Sequence, residues 1–348
     1  MSNPDSNLHY MNLPGAALFE QAQVWQAHVL GAICFSAGST EPDWQAAMPL
    51  LPVAMRPLAT SGALCEVWYS HTDLNQGHYK DINYRCNEAV IFGTVALAEA
   101  DFFGDAPLRL ATEAAYRQIG ALLDSLNYPH VFRYWNYMAD INGQQDNMER
   151  YQQFNYGRQN AFLAQGRAVA GNLPAACALG MPAGRLSIAF LAGRVAPVAI
   201  ENPRQLSAFI YPPVYGPRSP AFSRASLVNL TDREWLFISG TASIVGHRSL
   251  HSGDVLAQTR ETIANIVAIL AEANRLAQHT QFDLPDLQFN VYLRHAHDLA
   301  MVRAELALIV GSDISAVYLE ADVCRQELLV EIEAISGNIQ RPIMNRDR

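Results

Sequence analysis

The sequence predicts an α+β protein made of two tandem units, each a mixed sheet with helices packed on one face, and three observations carry that prediction. Residues 90–97, VIFGTVAL, return as residues 237–244, FISGTASI, at an offset of 147, so that Gly93 matches Gly240 and Thr94 matches Thr241. At the same offset each motif is followed by a helical pattern. Ala115, Ile119, Leu122 and Leu126 form it in the first unit, and Thr262, Ile266, Ile269 and Ala273 in the second, where Ile263, Val267 and Leu270 widen the stripe. Half of the 348 residues are apolar and 16% are charged, enough for a large core and too little charge for a disordered chain or an extended coiled coil.

The elements follow in order. The first 60 or so residues give a helix candidate at 19–29 and a proline-interrupted stretch after it. Behind each long helix comes a β-rich run in which aromatic and branched residues alternate with polar ones, HVFRYWNYMADIN at 130–142 and LQFNVYLRHAHD at 287–298. A shorter helix follows at 148–163 and at 299–310, and each unit closes on a strand, RLSIAFLAG from Arg185 and ELLVEIEAI from Glu327. Within a unit the order reads strands, long helix, strand, short helix, strand. Between the units, residues 200–224 carry five prolines, which disfavours both helix and central strand. Phe209, Tyr211, Tyr215, Phe222, Arg204, Arg218 and Arg224 gather there, fitting either a segment packed over a domain seam or the wall of a cleft. The expected organisation is an N-terminal unit over 1–195, a connector lining the cleft over 196–225, a C-terminal unit over 226–337 and a flexible tail over 338–348.

Charge and cysteine usage narrow the function. Lys and Arg number 24 against 33 Asp and Glu, a formal charge of −9, which disfavours a nucleic-acid backbone as partner. Two or three arginines in a cleft can still bind a small dianion, because screening over ~8 Å limits the reach of the net charge. Cys34, Cys65, Cys86, Cys177 and Cys324 are widely spaced without a CxxC pair, arguing against a disulfide scaffold or a zinc ribbon and for a reducing compartment. No basic-then-apolar leader opens the chain and no apolar run approaches the ~18–20 residues that span a bilayer, so a cytoplasmic protein without membrane contact is expected. His247 with His251, and His295 with His297 and Asp298, have zinc-compatible spacings but no further ligand at fixed spacing, and no glycine-rich nucleotide loop is present; neither a metal nor a nucleotide is expected.

Over about 100 residues the second unit, through FISGTASIVGHRSLHSGDVLAQTRETIANIVAILAEANRLAQ, NVYLRHAHDLAMVRAEL and LLVEIEAI, resembles the Rid/YjgF family of small trimeric enamine/imine deaminases. The resemblance implies that chorismate-mutase-like fold for both units. Where the family's catalytic arginine would stand, SAVYLEADVCRQ puts Val317 and Tyr318. Six blocks in order, FRYWNYMADIN, FNYGRQNAF, IENPRQ, YPPVYGPRSPAFSRA, FISGTASIVGH and DVCRQELLVEIE, are similar to the chorismatase family, a Rid-like fold with a duplicated, diverged core. That resemblance implies cleavage of the enolpyruvyl ether of chorismate to pyruvate and a dihydroxycyclohexadiene acid or a hydroxybenzoate, with no cofactor. Glycine in SGTAS and cysteine in DVCR, here Gly240 and Cys324, imply the 3-hydroxybenzoate-forming type. One branch of that type also makes 4-hydroxybenzoate, feeding pigment and quinone pathways. A Rid-type deaminase is the runner-up and a non-catalytic binder of an aromatic acid the alternative class; the oligomer expected is a monomer or a homotrimer.

A site for a dianion with an acid-labile vinyl ether needs planar cationic forks, an aromatic wall and one proton donor. Arg133, Arg158, Arg218 and Arg294 in the matching blocks are the candidate forks, each of which read alone also fits a surface or structural ion pair. Tyr211 and Tyr215 are candidate hydroxyl donors with ring walls. The candidate acid is Glu331, where the resemblance places the family's catalytic glutamate. By the period of two, Leu329, Glu331 and Glu333 share one strand face and Leu328, Val330 and Ile332 the other, setting two carboxyls ~7 Å apart on an otherwise apolar strand. Gly240 reads as a bulge glycine or as room for substrate, and Cys324 as a small core residue or a weak donor or acceptor steering the product. The site is expected at the seam of the two units.

Overall fold

The repeat in sequence is a repeat in space. In a computed structural model that describes residues 7–20, 23–38, 48–231 and 233–337, the sheet of the first unit runs Ala175–Met181, His130–Ala139, Leu186–Gly193, Val90–Leu97, Ile82–Cys86 and Asn75–Tyr79. The sheet of the second repeats that succession, Ser315–Glu320, Gln288–Leu293, Val330–Ser336, Glu234–Ala242 and Ala225–Asn229, with Val198–Ile200 at one edge and Arg56–Pro57 of the N-terminal region paired antiparallel to Ser315–Glu320 at the other. In each the strand after the short helix pairs parallel with the strand before it, and the neighbours that follow pair antiparallel. Helices Pro107–Ser125 and Arg150–Ala164 pack on one face of the first sheet, Val255–Leu276 and Leu299–Ile309 on one face of the second. The α+β reading with helices on a single face therefore holds.

The two parallel strands, Ala175–Met181 and Ser315–Glu320, are additions to the expected strand order. A parallel partner is reached through a helical crossover and carries no hairpin signal, so periodicity alone does not announce it. The long helices follow their patterns. Pro107 occupies the first turn of one, and the Asp254 side chain caps the other by accepting from the Ala257 N–H at 2.9 Å. Ile263, Ile266, Ile269 and Leu270 are buried beneath it, whereas Val267, read as part of the stripe, is 48% exposed.

The N-terminal region forms a third sheet, ordered Leu8–Pro14, Leu64–Ser70, Val29–Phe35 and Leu50–Val53. Instead of the helix expected at 19–29 there are two short helical segments, Gly15–Glu20 and Gln23–Gln26, and then VLGAICF, buried at every position, as a strand. The three sheets meet at aromatic rings: Trp68 lies 5.7 Å from Trp135 of the first unit and 5.7 Å from Trp235 of the second. All three tryptophans are fully buried. Burying large apolar side chains is worth roughly 1.5–3 kcal/mol each, so this junction fixes the sheets against one another. Hydroxyls finish the seam where strand pairing stops: the Ala175 N–H donates to Ser226 Oγ at 2.8 Å and the Ala176 N–H to Ser239 Oγ at 2.9 Å.

Cys34 and Cys65, opposite each other on antiparallel strands with Cα atoms 4.1 Å apart, form a disulfide. The sequence reading, which argued against a disulfide scaffold and for a reducing compartment, named no such pair; the cross-strand register that joins residues 31 apart is not visible in their spacing. The tail expected from residue 338 lies outside the described residues. Among the described residues no helix is long and apolar enough to cross a membrane.

Candidate active site

The closing strand Val330–Ser336 sends Val330, Ile332 and Ala334 into the core under the helices and turns Glu331 and Glu333 the other way, as its alternation predicts. Glu331 is 4% exposed. A buried carboxyl fits there because the neighbouring strand breaks register between Ile238 and Thr241, with Gly240 in the break. A Cβ at Gly240 would stand 2.0 Å from Glu331 Oε1 and 2.8 Å from its carboxyl carbon. The bulge and the missing side chain together make the space that the acid occupies. Burial, and then the neighbouring Glu333, push the Glu331 carboxyl from 4.5 up to about 8 against the pull of Arg133.

Above Glu331 opens a cavity between the two units, lined by Tyr211, Tyr215, Phe222 and Arg224 of the connector, by Gly240 and Ala242, and by Cys324 and Arg325. A narrow inner recess continues past Glu331 to Tyr151, Arg158 and Cys177 of the first unit. The connector thus forms a cleft wall. Three guanidiniums border this space, and none of them pairs with a carboxylate among the described residues. Arg158, 2% exposed, donates to Asn155 Oδ1 at 2.8 Å and lies over the Phe154 ring, with its Nε unpartnered. Arg224 donates to the Leu206 carbonyl at 2.7 Å and the Tyr211 hydroxyl at 2.8 Å, again with a free Nε. Arg325 donates to the His247 carbonyl and to Ser249 Oγ, each at 3.0 Å, and lies 4.1 Å from the centre of the Tyr215 ring. The Tyr215 hydroxyl in turn donates to the His247 carbonyl at 2.7 Å. Cationic forks, aromatic walls and two acids, Glu331 and Glu149, therefore share a single concavity.

Of the candidates, Glu331, Cys324, Arg158, Tyr211, Tyr215 and Gly240 line this space, and Arg133, Arg218 and Arg294 do not. Arg133 is wholly buried below it, ion-paired with Glu333 and donating to the Ile238 carbonyl at 2.6 Å. Arg294 pairs with Asp322 and donates to the Leu328, Val323 and Arg325 carbonyls at 2.8, 3.1 and 2.9 Å, so it braces the loop that presents Cys324 and Arg325. Arg218 lies over the Tyr156 ring away from the cavity. Cys324 sits beside the acid, and burial followed by the Glu331 charge pushes its thiol up to about 12, which keeps it a neutral thiol. The sequence reading missed Arg325, Glu149, Tyr151 and Gln205, and set Arg224 in the connector without a role; Gln205, Arg224 and Arg325 lie within blocks already singled out, the one signal that pointed to them. Of the spaced histidines, His247 contacts Tyr215, His251 faces Glu261, and His295 stacks on His297.

Burial of acids leaves a mark on stability. Glu66, fully buried, is likewise pushed from 4.5 to about 8, by burial first and then by Glu333. A folded-state pKa above the unfolded one means that the stabilisation is complete below about 4.5 and is lost as pH climbs to about 8. Glu66→Gln is therefore expected to raise Tm at pH 8.5 and change it little at pH 4.5, the gap being on the order of a few kcal/mol. Equal Tm differences at the two pH values in calorimetry would contradict the burial of an ionisable Glu66.

Comparison with known proteins gives concordant matches. The family described as "Chorismatase FkbO/Hyg5-like, N-terminal" matches residues 66–192. A chorismatase of Streptomyces hygroscopicus is 35% identical over 280 residues, covering 78% of this chain and 79% of that protein. A 3-hydroxybenzoate synthase of the same organism is 34% identical over 318 residues, covering 88% of this chain and 91% of that protein. A crystal structure of a chorismatase superposes with a TM-score of 0.86 at 31% identity, covering 97% of this chain and all of that one.

Proposed function

The chain belongs to the chorismatase family, and from that premise we propose that it cleaves the enolpyruvyl ether of chorismate to pyruvate and 3-hydroxybenzoate. The observation that carries the reading is a buried acid with a pKa of about 8 facing guanidiniums that lack acidic partners. An acid of that strength is roughly 90% protonated at pH 7 and can act as a general acid there. Arg158, Arg224 and Arg325 supply the forks for two carboxylates, and Tyr211 and Tyr215 the aromatic wall.

In this reading Glu331 transfers its proton to the terminal methylene carbon of the enolpyruvyl group. The carbon–carbon double bond becomes a carbon–methyl bond, and positive charge appears on the ether-bearing carbon as an oxocarbenium ion. Water captures that species, the bond from the former enol carbon to the ring oxygen breaks, and pyruvate leaves; the diene-diol acid then loses its other hydroxyl as water, with one ring C–H proton, to become aromatic. Where the ring hydroxyl is the captor instead, its own bond to the ring breaks, its oxygen leaves in pyruvate and the ring loses the same C–H proton. Pyruvic acid and hydroxybenzoic acid together contain the atoms of chorismic acid, so this product consumes no water overall and the proton returns to Glu331. The name of the 3-hydroxybenzoate synthase relative and the pairing of Gly240 with Cys324 support this product.

Purified protein incubated with chorismate is expected to release pyruvate and 3-hydroxybenzoate in equal amounts, read by a coupled pyruvate assay and chromatography. Absence of pyruvate would refute the reading, and ammonia from an imine substrate would favour the deaminase. Gly240→Ala places a methyl inside the Glu331 carboxyl, which must turn away. The expected result is a fall in kcat of at least about 10-fold and a shift of the remaining product toward the diene-diol acid. Unchanged rate and product would deny Gly240 any part in placing the acid.

A further inference from the structure

Below the cavity lies a cluster of charge that the proton transfer does not touch. Arg133, Glu333, Glu66 and Asn290 are each exposed by 2% or less. They come from all three sheets: Arg133 from His130–Ala139, Glu333 and Asn290 from Val330–Ser336 and Gln288–Leu293, and Glu66 from Leu64–Ser70. Both oxygens of Glu333 are committed. Oε1 accepts from Asn290 Nδ2 at 3.0 Å and from the Tyr292 hydroxyl at 2.7 Å, while Oε2 accepts from Arg133. Oε2 faces a guanidinium, which can only donate, so Glu333 is the anionic half of the buried ion pair with Arg133. Glu331 stands in the opposite condition: no hydrogen-bond donor reaches its carboxyl among the described residues.

We propose that Glu333 is a positioning residue for the reaction: its fixed negative charge, anchored by Arg133, Asn290 and Tyr292 on the strand face it shares with Glu331, makes Glu331 the member of the pair that keeps a proton to give. The proposal rests on the chorismatase reading above. Strand geometry sets the two carboxyls ~7 Å apart, and in a desolvated site a like charge at that range shifts a carboxyl upward by about 1–2 pH units. Arg133 opposes this, but its guanidinium is committed to Glu333 and the Ile238 carbonyl, and the carboxylate outweighs it at Glu331. The other titratable groups around Glu331 are, in the recess, Cys177 on Ala175–Met181, Tyr151 and Arg158 on Arg150–Ala164 and Cys324 on the loop before the closing strand, and, around the outer cavity, Glu149, Tyr211, Tyr215, Arg224 and Arg325. Burial holds both thiols and the Tyr151 phenol in their neutral forms. Asn290 Nδ2 also donates to Glu66, so the third sheet helps to hold the amide that anchors Glu333.

The test is an infrared titration of the Glu331 carboxyl C=O band, with Glu331→Gln as the blank and no substrate present. Glu333→Gln is expected to lower the midpoint by about 1–2 pH units. With chorismate, the alkaline fall of kcat should move down by the same amount while kcat near pH 5.5 stays close to that of the parent. A purely structural role would lower kcat by one factor at every pH and leave the band in place. Glu66→Gln, which removes a carboxyl that does not bear on Glu331, is expected to leave the midpoint where it is. An unmoved midpoint in Glu333→Gln, or an equal shift in Glu66→Gln, overturns the proposal. Should Glu333→Gln fail to fold, the apolar pair Arg133→Met with Glu333→Met removes both charges, and its midpoint should still fall; a rise would overturn the proposal equally. Because the band is read without substrate, failure of the chorismate assay and failure of this titration are separate results.

Discussion

Glu331→Gln is expected to lower pyruvate release by a factor of about 10²–10⁴, the usual worth of a positioned general acid, with KM for chorismate nearly unchanged. The split follows from the charge state. With a pKa of about 8 the acid is neutral when substrate arrives, so an amide of the same shape presents the same face to a dianion and differs only in having no proton to transfer. The fold should gain rather than suffer. No hydrogen bond to the carboxyl is lost, and a group that must be held protonated below about 8 is removed, so Tm should rise at alkaline pH. Steady-state kinetics beside calorimetry checks both halves. Full turnover in the amide variant would remove Glu331 from the chemistry, while a collapse of Tm would show that the carboxyl holds structure.

What could be read from the chain before its structure divides along the range of the interactions involved. Glu331 was legible because strand alternation is local: LLVEIEAI alone states that two acids share a face of a buried strand. The duplication was legible for a similar reason, as the repeated motif and the helix behind it keep one offset. The choice among arginines was not, because it depends on partners far away in sequence. Arg133 and Glu333 are 200 residues apart and Arg294 and Asp322 are 28 apart, so nothing near either arginine says that its charge is already neutralised. Arg158, Arg224 and Arg325 are useful to an anion for the converse reason, that no carboxylate reaches them. Gly240 carries two roles at once, bulge and clearance for the acid, which the motif alone leaves as alternatives. The N-terminal sheet stayed hidden because its strands pair across long gaps in the sequence, Leu8 with Ser70 and Cys34 with Cys65.

Arg158→Met is expected to raise KM for chorismate by about 10²–10³, the loss of a bidentate charge-assisted contact in a desolvated site, and at the same time to leave Tm unchanged or higher. The two effects share one cause. A guanidinium that is 2% exposed, held by one amide at 2.8 Å, by the Tyr116 hydroxyl and by an aromatic face, with Nε unpartnered and no carboxylate paired with it, is an uncompensated charge in the unliganded protein. Only an incoming anion completes its hydrogen bonds, so that anion recovers in binding what the empty site leaves unsatisfied. Arg158→Lys restores the charge but not the planar fork and should recover only part of the affinity. Arg294→Met supplies the contrast: it breaks an ion pair and three carbonyl contacts that brace the Cys324 and Arg325 loop, so its primary effect should be a lower Tm. If KM in Arg158→Met stayed at the parent value while Tm fell, Arg158 would be a structural cation like Arg294, and the inner recess would lose its claim to hold a substrate carboxylate.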